Sequence, residues 1–265
     1  MRKITALFVL GLLVLTGSSV RAQLSVRLQT EQDTFLLYEP IPVILAIQNF
    51  SGRPIELSAQ VNNPWLSFVV TDENGNIVDR TKVPVPNDSV LIPVGQTVGH
   101  RVDLLPLYEL RRRGSFRVQA YITGKGLSAA SQPLRFTIMH GRELSAVTMG
   151  LPPTEGARDQ YRTYSLQAHA TQDGERLYAL VRDDANQRVF ELISLGNFVS
   201  TVKPDMRVDR EGGCHVLFQS APRMFGYALI TSQGRMSERK VFSDYQSTPE
   251  LVLRDGVVKV IGGEQ

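Results

Sequence analysis

Cysteine is nearly missing from this chain, with Cys214 the only one among 265 residues. One thiol excludes an intramolecular disulfide and the multi-cysteine sets that hold structural zinc or iron–sulfur clusters, so stability must come from a buried core. Histidine is scarce too. His100, His140, His169 and His215 stand far apart, without the close pairing of a His-Glu-x-x-His zinc helix. No phosphate-cradling glycine loop, Gly-x-Ser-x-Gly elbow or dinucleotide fingerprint occurs. Beyond the N-terminus, no apolar run approaches the roughly 20 residues that a membrane-spanning helix requires. We therefore expect no catalytic constellation, no metal site and no cofactor.

What is present begins with a leader. Arg2 and Lys3 form a positive n-region, Ile4 to Thr16 an apolar stretch, and Val20-Arg21-Ala22 a small-x-small cleavage site. The expectation is a secretory signal peptide over residues 1–22, cleaved before Gln23, with no lipid-modified cysteine near it. Cleavage removes 22 of 265 residues and leaves 243, enough for two domains. Export without disulfides fits a bacterial envelope, so the protein is expected to be secreted or periplasmic.

Charge of one sign is also lacking. Losing Arg2, Lys3 and Arg21 takes the 29 basic residues to 26, equal to the 26 acidic ones. A balanced chain offers no electrostatic reason to expect nucleic acid or an anionic membrane as partner. The run Arg111-Arg112-Arg113, just before Gly114, reads as a solvated loop.

The remaining pattern is that of strands and turns. Leu24, Val26 and Leu28 alternate with polar residues, as do Phe116, Val118 and Ala120, which is the period of a half-buried strand. Ile41 to Ile47 is nearly continuous apolar sequence, and Trp65 to Val70 runs into Asp72-Glu73-Asn74-Gly75-Asn76, where Asn-Gly signals a tight hairpin. The same acidic turn could be taken for a calcium loop, but the twelfth position of an EF-hand pattern falls on Val83 rather than glutamate.

Three segments carry a resemblance. Glu39-Pro40-Ile41-Pro42-Val43, then Asp72 to Val78, then Gly114 to Ala120 are similar to bacterial immunoglobulin-like and macroglobulin-like β-sandwich domains. The resemblance covers residues 23–140 and implies an Ig-like sandwich serving as spacer, adhesive module or binding platform. It implies no thioester chemistry, because that motif is missing. Residues 141–164 change composition around Gly150-Leu151-Pro152-Pro153 and read as a linker or crossing segment.

Residues 165–265 carry a weak repeat. Gln172-Asp173-Gly174, Arg210-Glu211-Gly212-Gly213 and Arg254-Asp255-Gly256 each precede an apolar run, at a spacing of about 40 residues. This region resembles β-propeller blades of exported bacterial proteins, with two blades and part of a third. Propellers close with about four to eight blades, so the exposed faces must be covered by the first domain, by other chains or by each other. The expected fold class is all-β, an Ig-like sandwich followed by a blade-like antiparallel meander.

Few residues are candidates for a site. Arg223, Phe225 and Tyr227 alternate at period two, which would set all three on one surface able to stack on a sugar or peptide; the same alternation also marks a buried strand core. Cys214 and His215 are neighbours on an expected strand and point to opposite faces, so they do not form a nucleophile–base pair. Asp183-Asp184 and Glu109 have no partner carboxylate at a defined spacing. The reading is an exported, non-catalytic binding or structural protein of the cell envelope. Its partner would be an envelope protein, a polysaccharide or a second copy of itself. The alternatives are an envelope hydrolase with a site not recognisable from sequence, and a self-assembling β protein.

Overall fold

The computed structural model describes residues 24–59, 64–124, 126–151, 160–171, 173–185 and 188–265. The expected signal peptide, 1–22, lies outside the described residues. Every regular element among them is a strand, so the chain is all-β.

The first ten strands are β1 (Leu24–Gln29), β2 (Thr34–Leu36), β3 (Pro42–Asn49), β4 (Ile55–Leu57), β5 (Leu66–Asp72), β6 (Val90–Ile92), β7 (Thr97–Asp103), β8 (Gly114–Gly124), β9 (Leu127–Ala130) and β10 (Leu134–Met139). They build one sheet in the order β1-β3-β7, a second in the order β2-β10-β8-β5 with β9 on β8, and a short β4-β6 pair. The alternation seen in sequence decides which side chains go inside. Val43, Leu45 and Ile47 of β3 share one core with Phe116, Val118, Ala120 and Ile122 of β8, while their neighbours face outward. Trp65 is buried in the same core because its one polar atom is satisfied: the indole N–H donates to the Asp88 carbonyl at 3.0 Å. The Asn74-Gly75 turn is present, with Gly75 at φ 84, but the returning chain meets β5 only at a Thr71–Ile77 bridge.

Four antiparallel strands follow in chain order, β11 (Arg142–Gly150), β12 (Tyr161–Thr171), β13 (Gly174–Asp183) and β14 (Arg188–Asn197). A second four-stranded meander comprises β15 (Asp205–Val208), β16 (Cys214–Ala221), β17 (Met224–Ile230) and β18 (Met236–Ser243), and a hairpin of β19 (Glu250–Arg254) and β20 (Val257–Ile261) ends the fold.

Two expectations are corrected here. Residues 141–164 are not a linker throughout: Arg142–Gly150 is a strand paired with Tyr161–Thr171 from Arg142–Ala168 to Gly150–Tyr161. Its side chains are exposed or half-buried along its whole length, as suits a strand at a sheet edge, and that polar character imitates a linker. The repeat is also out of phase. The Asp173-Gly174 turn opens the third strand of its sheet, whereas the turns at Gly213 and Gly256 open the second strand of theirs.

The sheets stack in layers. Tyr178, Leu180 and Leu192 on one face of the first meander pack against Leu36 and Tyr38 of the N-terminal unit. Its other face, with Tyr164, Leu166, Leu177, Ala179 and Val181, meets Cys214, Val216, Phe218, Ala228 and Ile230 of the second meander. The far face of that meander, with Leu217, Phe225 and Tyr227, is covered by Leu251 and Val258 of the hairpin. Polar bonds tie the layers: Tyr178 Oη donates to Glu39 at 3.1 Å, and Tyr164 Oη to the Gly212 carbonyl at 2.5 Å. Burial first, and the Glu39 carboxylate second, push the Tyr178 hydroxyl up to about 12.

Candidate functional site

The three sequence candidates do not form an exposed binding face. Phe225 and Tyr227 are buried under the terminal hairpin. Arg223 sits in the β16–β17 turn at φ 59, its guanidinium 5.6 Å from the centre of the Tyr245 ring. Alternation along β17 records burial against β19 and β20, because both faces of this meander are covered.

Cys214 and His215 do point apart. Cys214 is enclosed between the two meanders, and burial pushes its thiol well above the ordinary range, which leaves it no thiolate character. His215 lies on the opposite face, with Nδ1 2.8 Å from Tyr227 Oη and Nε2 3.0 Å from Asp209 Oδ2. Burial raises the Asp209 carboxyl, but hydrogen bonds from His215 and the Gly213 and Glu211 amides outweigh it and hold the group below its usual value. An ionised Asp209 only accepts, so Nε2–H donates to it, and Nδ1 shares a hydrogen bond with the Tyr227 hydroxyl. The chain Tyr227–His215–Asp209 pins the 209–213 turn to β17, and its solvent-excluded setting makes it a structural tie.

Other expectations resolve into structural pairs. Asp72 accepts from the amides of Asn74 and Asn76 at 3.0 and 2.9 Å and pairs with Arg112 at 2.7 Å, so its loop closes on itself and on the basic run. Glu109 pairs with Arg111, Asp183 with Arg162 and Asp184 with Arg182. Among the described residues, no group of three or more His, Cys, Asp or Glu side chains is placed to hold a metal ion.

The feature with the character of a site is a groove along β14. One wall comes from the N-terminal unit, through Tyr38, Thr81, Leu105, Pro106 and Arg111, and the other is the strand from Arg188 to Leu192; together they enclose about 460 Å³. The first wall is stitched by Thr81 Oγ1 donating to the Pro106 carbonyl at 2.6 Å and by Tyr108 Oη donating to the Phe68 carbonyl at 2.5 Å. A second depression of about 500 Å³ continues past Arg188, Phe190 and Glu191 to Gln233, Gly234 and Arg235 of the β17–β18 turn. Gly234, at φ 78, allows that turn to lie on β14, since a Cβ there would stand 2.9 Å from the Cβ of Glu191.

No protein-family model and no curated protein matches the chain. The groove is therefore read from its own geometry. The β13–β14 register shifts at Phe190, which is left without a cross-strand partner. Such a bulge re-aims a side chain, and here two guanidiniums lie against the Phe190 ring, Arg162 at 4.3 Å and Arg188 at 4.5 Å from its centre. The two differ in role. Arg162 is buried and saturated, donating to Asp183 at 3.2 Å and to the Ser232 and Tyr161 carbonyls at 2.8 Å each. Arg188 and Arg235 are exposed and, among the described residues, have no carboxylate partner.

Sequence reasoning missed these residues. Arg162 on β12 and Arg188 on β14 meet at the Phe190 ring across one sheet, and the stacking of the second meander brings Arg235 of the β17–β18 turn to the same depression. The local signal was the Arg188-Val189-Phe190-Glu191 mixture of charged and apolar residues, the mark of a strand end open to solvent.

Proposed function

We propose that this chain is an exported, non-catalytic binding protein of a bacterial envelope, in which an Ig-like sandwich and two propeller-like blades are rigid walls around the β14 groove. The leader, the single cysteine and the balanced charge support the compartment. The observation that carries binding is the groove itself, an elongated cleft at the junction of separately packed layers, with exposed guanidiniums on one wall and no cluster suited to proton transfer or nucleophilic attack among the described residues. Junctions of this kind are where ligand sites concentrate, because neither layer alone has to be deformed to make a concave surface.

The test is capture of envelope components on the immobilised purified protein, compared with Glu191→Trp. Glu191 is exposed and lines both depressions, so an indole there fills the groove while remaining compatible with a strand. The native protein should retain one envelope fraction that the tryptophan variant loses. Equal retention by both would mean that the groove is not the binding surface.

A further inference from the structure

Resting on that groove as the binding surface, we propose that its ligand is an acidic polysaccharide, a chain of carboxylate-bearing sugars held by Arg188 and Arg235. Four observations carry the assignment. First, of the arginines in the groove, Arg111 and Arg162 are neutralised by Glu109 and Asp183, whereas Arg188 and Arg235 pair with no carboxylate among the described residues. A guanidinium is the side chain whose planar donor pair matches a carboxylate, and Arg188 is already ordered by its contact with Phe190, so less freedom is lost when it binds. Secondly, Glu191 and Gln233 share the same walls and supply acceptors for hydroxyl groups, which a sugar chain presents at every residue.

Thirdly, the ligand must be read by side chains rather than by the backbone. β14 is an edge strand, yet its register is broken at Phe190 and again at Leu195, and the Leu195 carbonyl already accepts from Arg239 at 3.0 Å. The Gly234 turn covers the stretch at Phe190 and Glu191. A bulged, side-chain-capped edge does not accept an added strand, which disfavours an extended peptide. Fourthly, the two depressions share Arg188, Phe190 and Glu191 and so form one continuous track, suited to a polymer longer than a single sugar.

Titration calorimetry of the purified protein with polygalacturonate, dextran and polyglutamate decides the matter. Polygalacturonate should bind, more weakly as salt is raised, and dextran should not. Arg188→Gln and Arg235→Gln should each weaken binding about tenfold or more, the loss expected for one charge-assisted contact. Arg113→Gln, an exposed arginine outside the groove, should leave binding unchanged, and all three variants should melt with the native protein. Equal binding of dextran, tighter binding of polyglutamate, or an equal loss in Arg113→Gln would each overturn the assignment. If polygalacturonate fails while Glu191→Trp still abolishes envelope capture, the ligand class falls and the groove stands.

Discussion

Asp72 shows how a single side chain closes a loop in this protein. Its carboxyl is held at about 2, against an ordinary 3.8, chiefly by the Arg112 guanidinium, with the Asn76 and Asn74 groups adding to it against the effect of burial. A carboxyl depressed in the folded state adds stability above its unfolded value and loses that contribution as pH falls toward the folded value. Arg112→Gln should therefore lower the melting temperature at pH 6, and the gap from the native protein should close between pH 4 and pH 2. A gap that persists undiminished at pH 2 would show that Arg112 acts through packing on Phe116, whose ring centre lies 5.7 Å away, and not through Asp72.

At the level of elements, legibility followed burial. β13 and β16 are covered on both faces, and Leu177 to Val181 and Val216 to Phe218 read as unbroken apolar runs. β3 and β8 were equally plain, each with one inward face. β11 was not legible, because an exposed edge strand has no apolar face to record, and its pairing with β12 is written in backbone hydrogen bonds that any sequence can make. The groove was invisible for a related reason: contacts between elements distant in the chain leave no period. The packing between the strands is tight enough to test. A Cβ at Gly226 would stand 2.6 Å from the tip of the buried Phe218 ring, so Gly226→Ala should cost about 1–3 kcal/mol, measured as a lowered urea midpoint with unchanged slope. An unaffected midpoint would mean that the Phe218 ring can move aside.

On the scale of the whole molecule, the layers form an open stack, and the terminal β19–β20 hairpin acts as its lid. The hairpin buries Leu217, Phe225 and Tyr227, and the chain beyond it is clipped to β18 by paired Ser243–Glu264 backbone bonds of 2.7 and 2.9 Å. Removing residues 249–265 should bare that face, raise dye binding to exposed apolar surface and make the light-scattering mass rise with concentration. A truncated chain that stays monomeric and binds no dye would show that the second meander closes its own far face. Beyond the N-terminal unit, whose two sheets interleave along the chain, the first meander, the second meander and the hairpin stack in the order of the sequence. A chain emerging N-terminus first therefore completes the N-terminal unit before the first meander arrives to cover Leu36 and Tyr38, and the second meander and the hairpin each find their partner sheet directly before them in sequence. Each new sheet arrives on a surface that is already built.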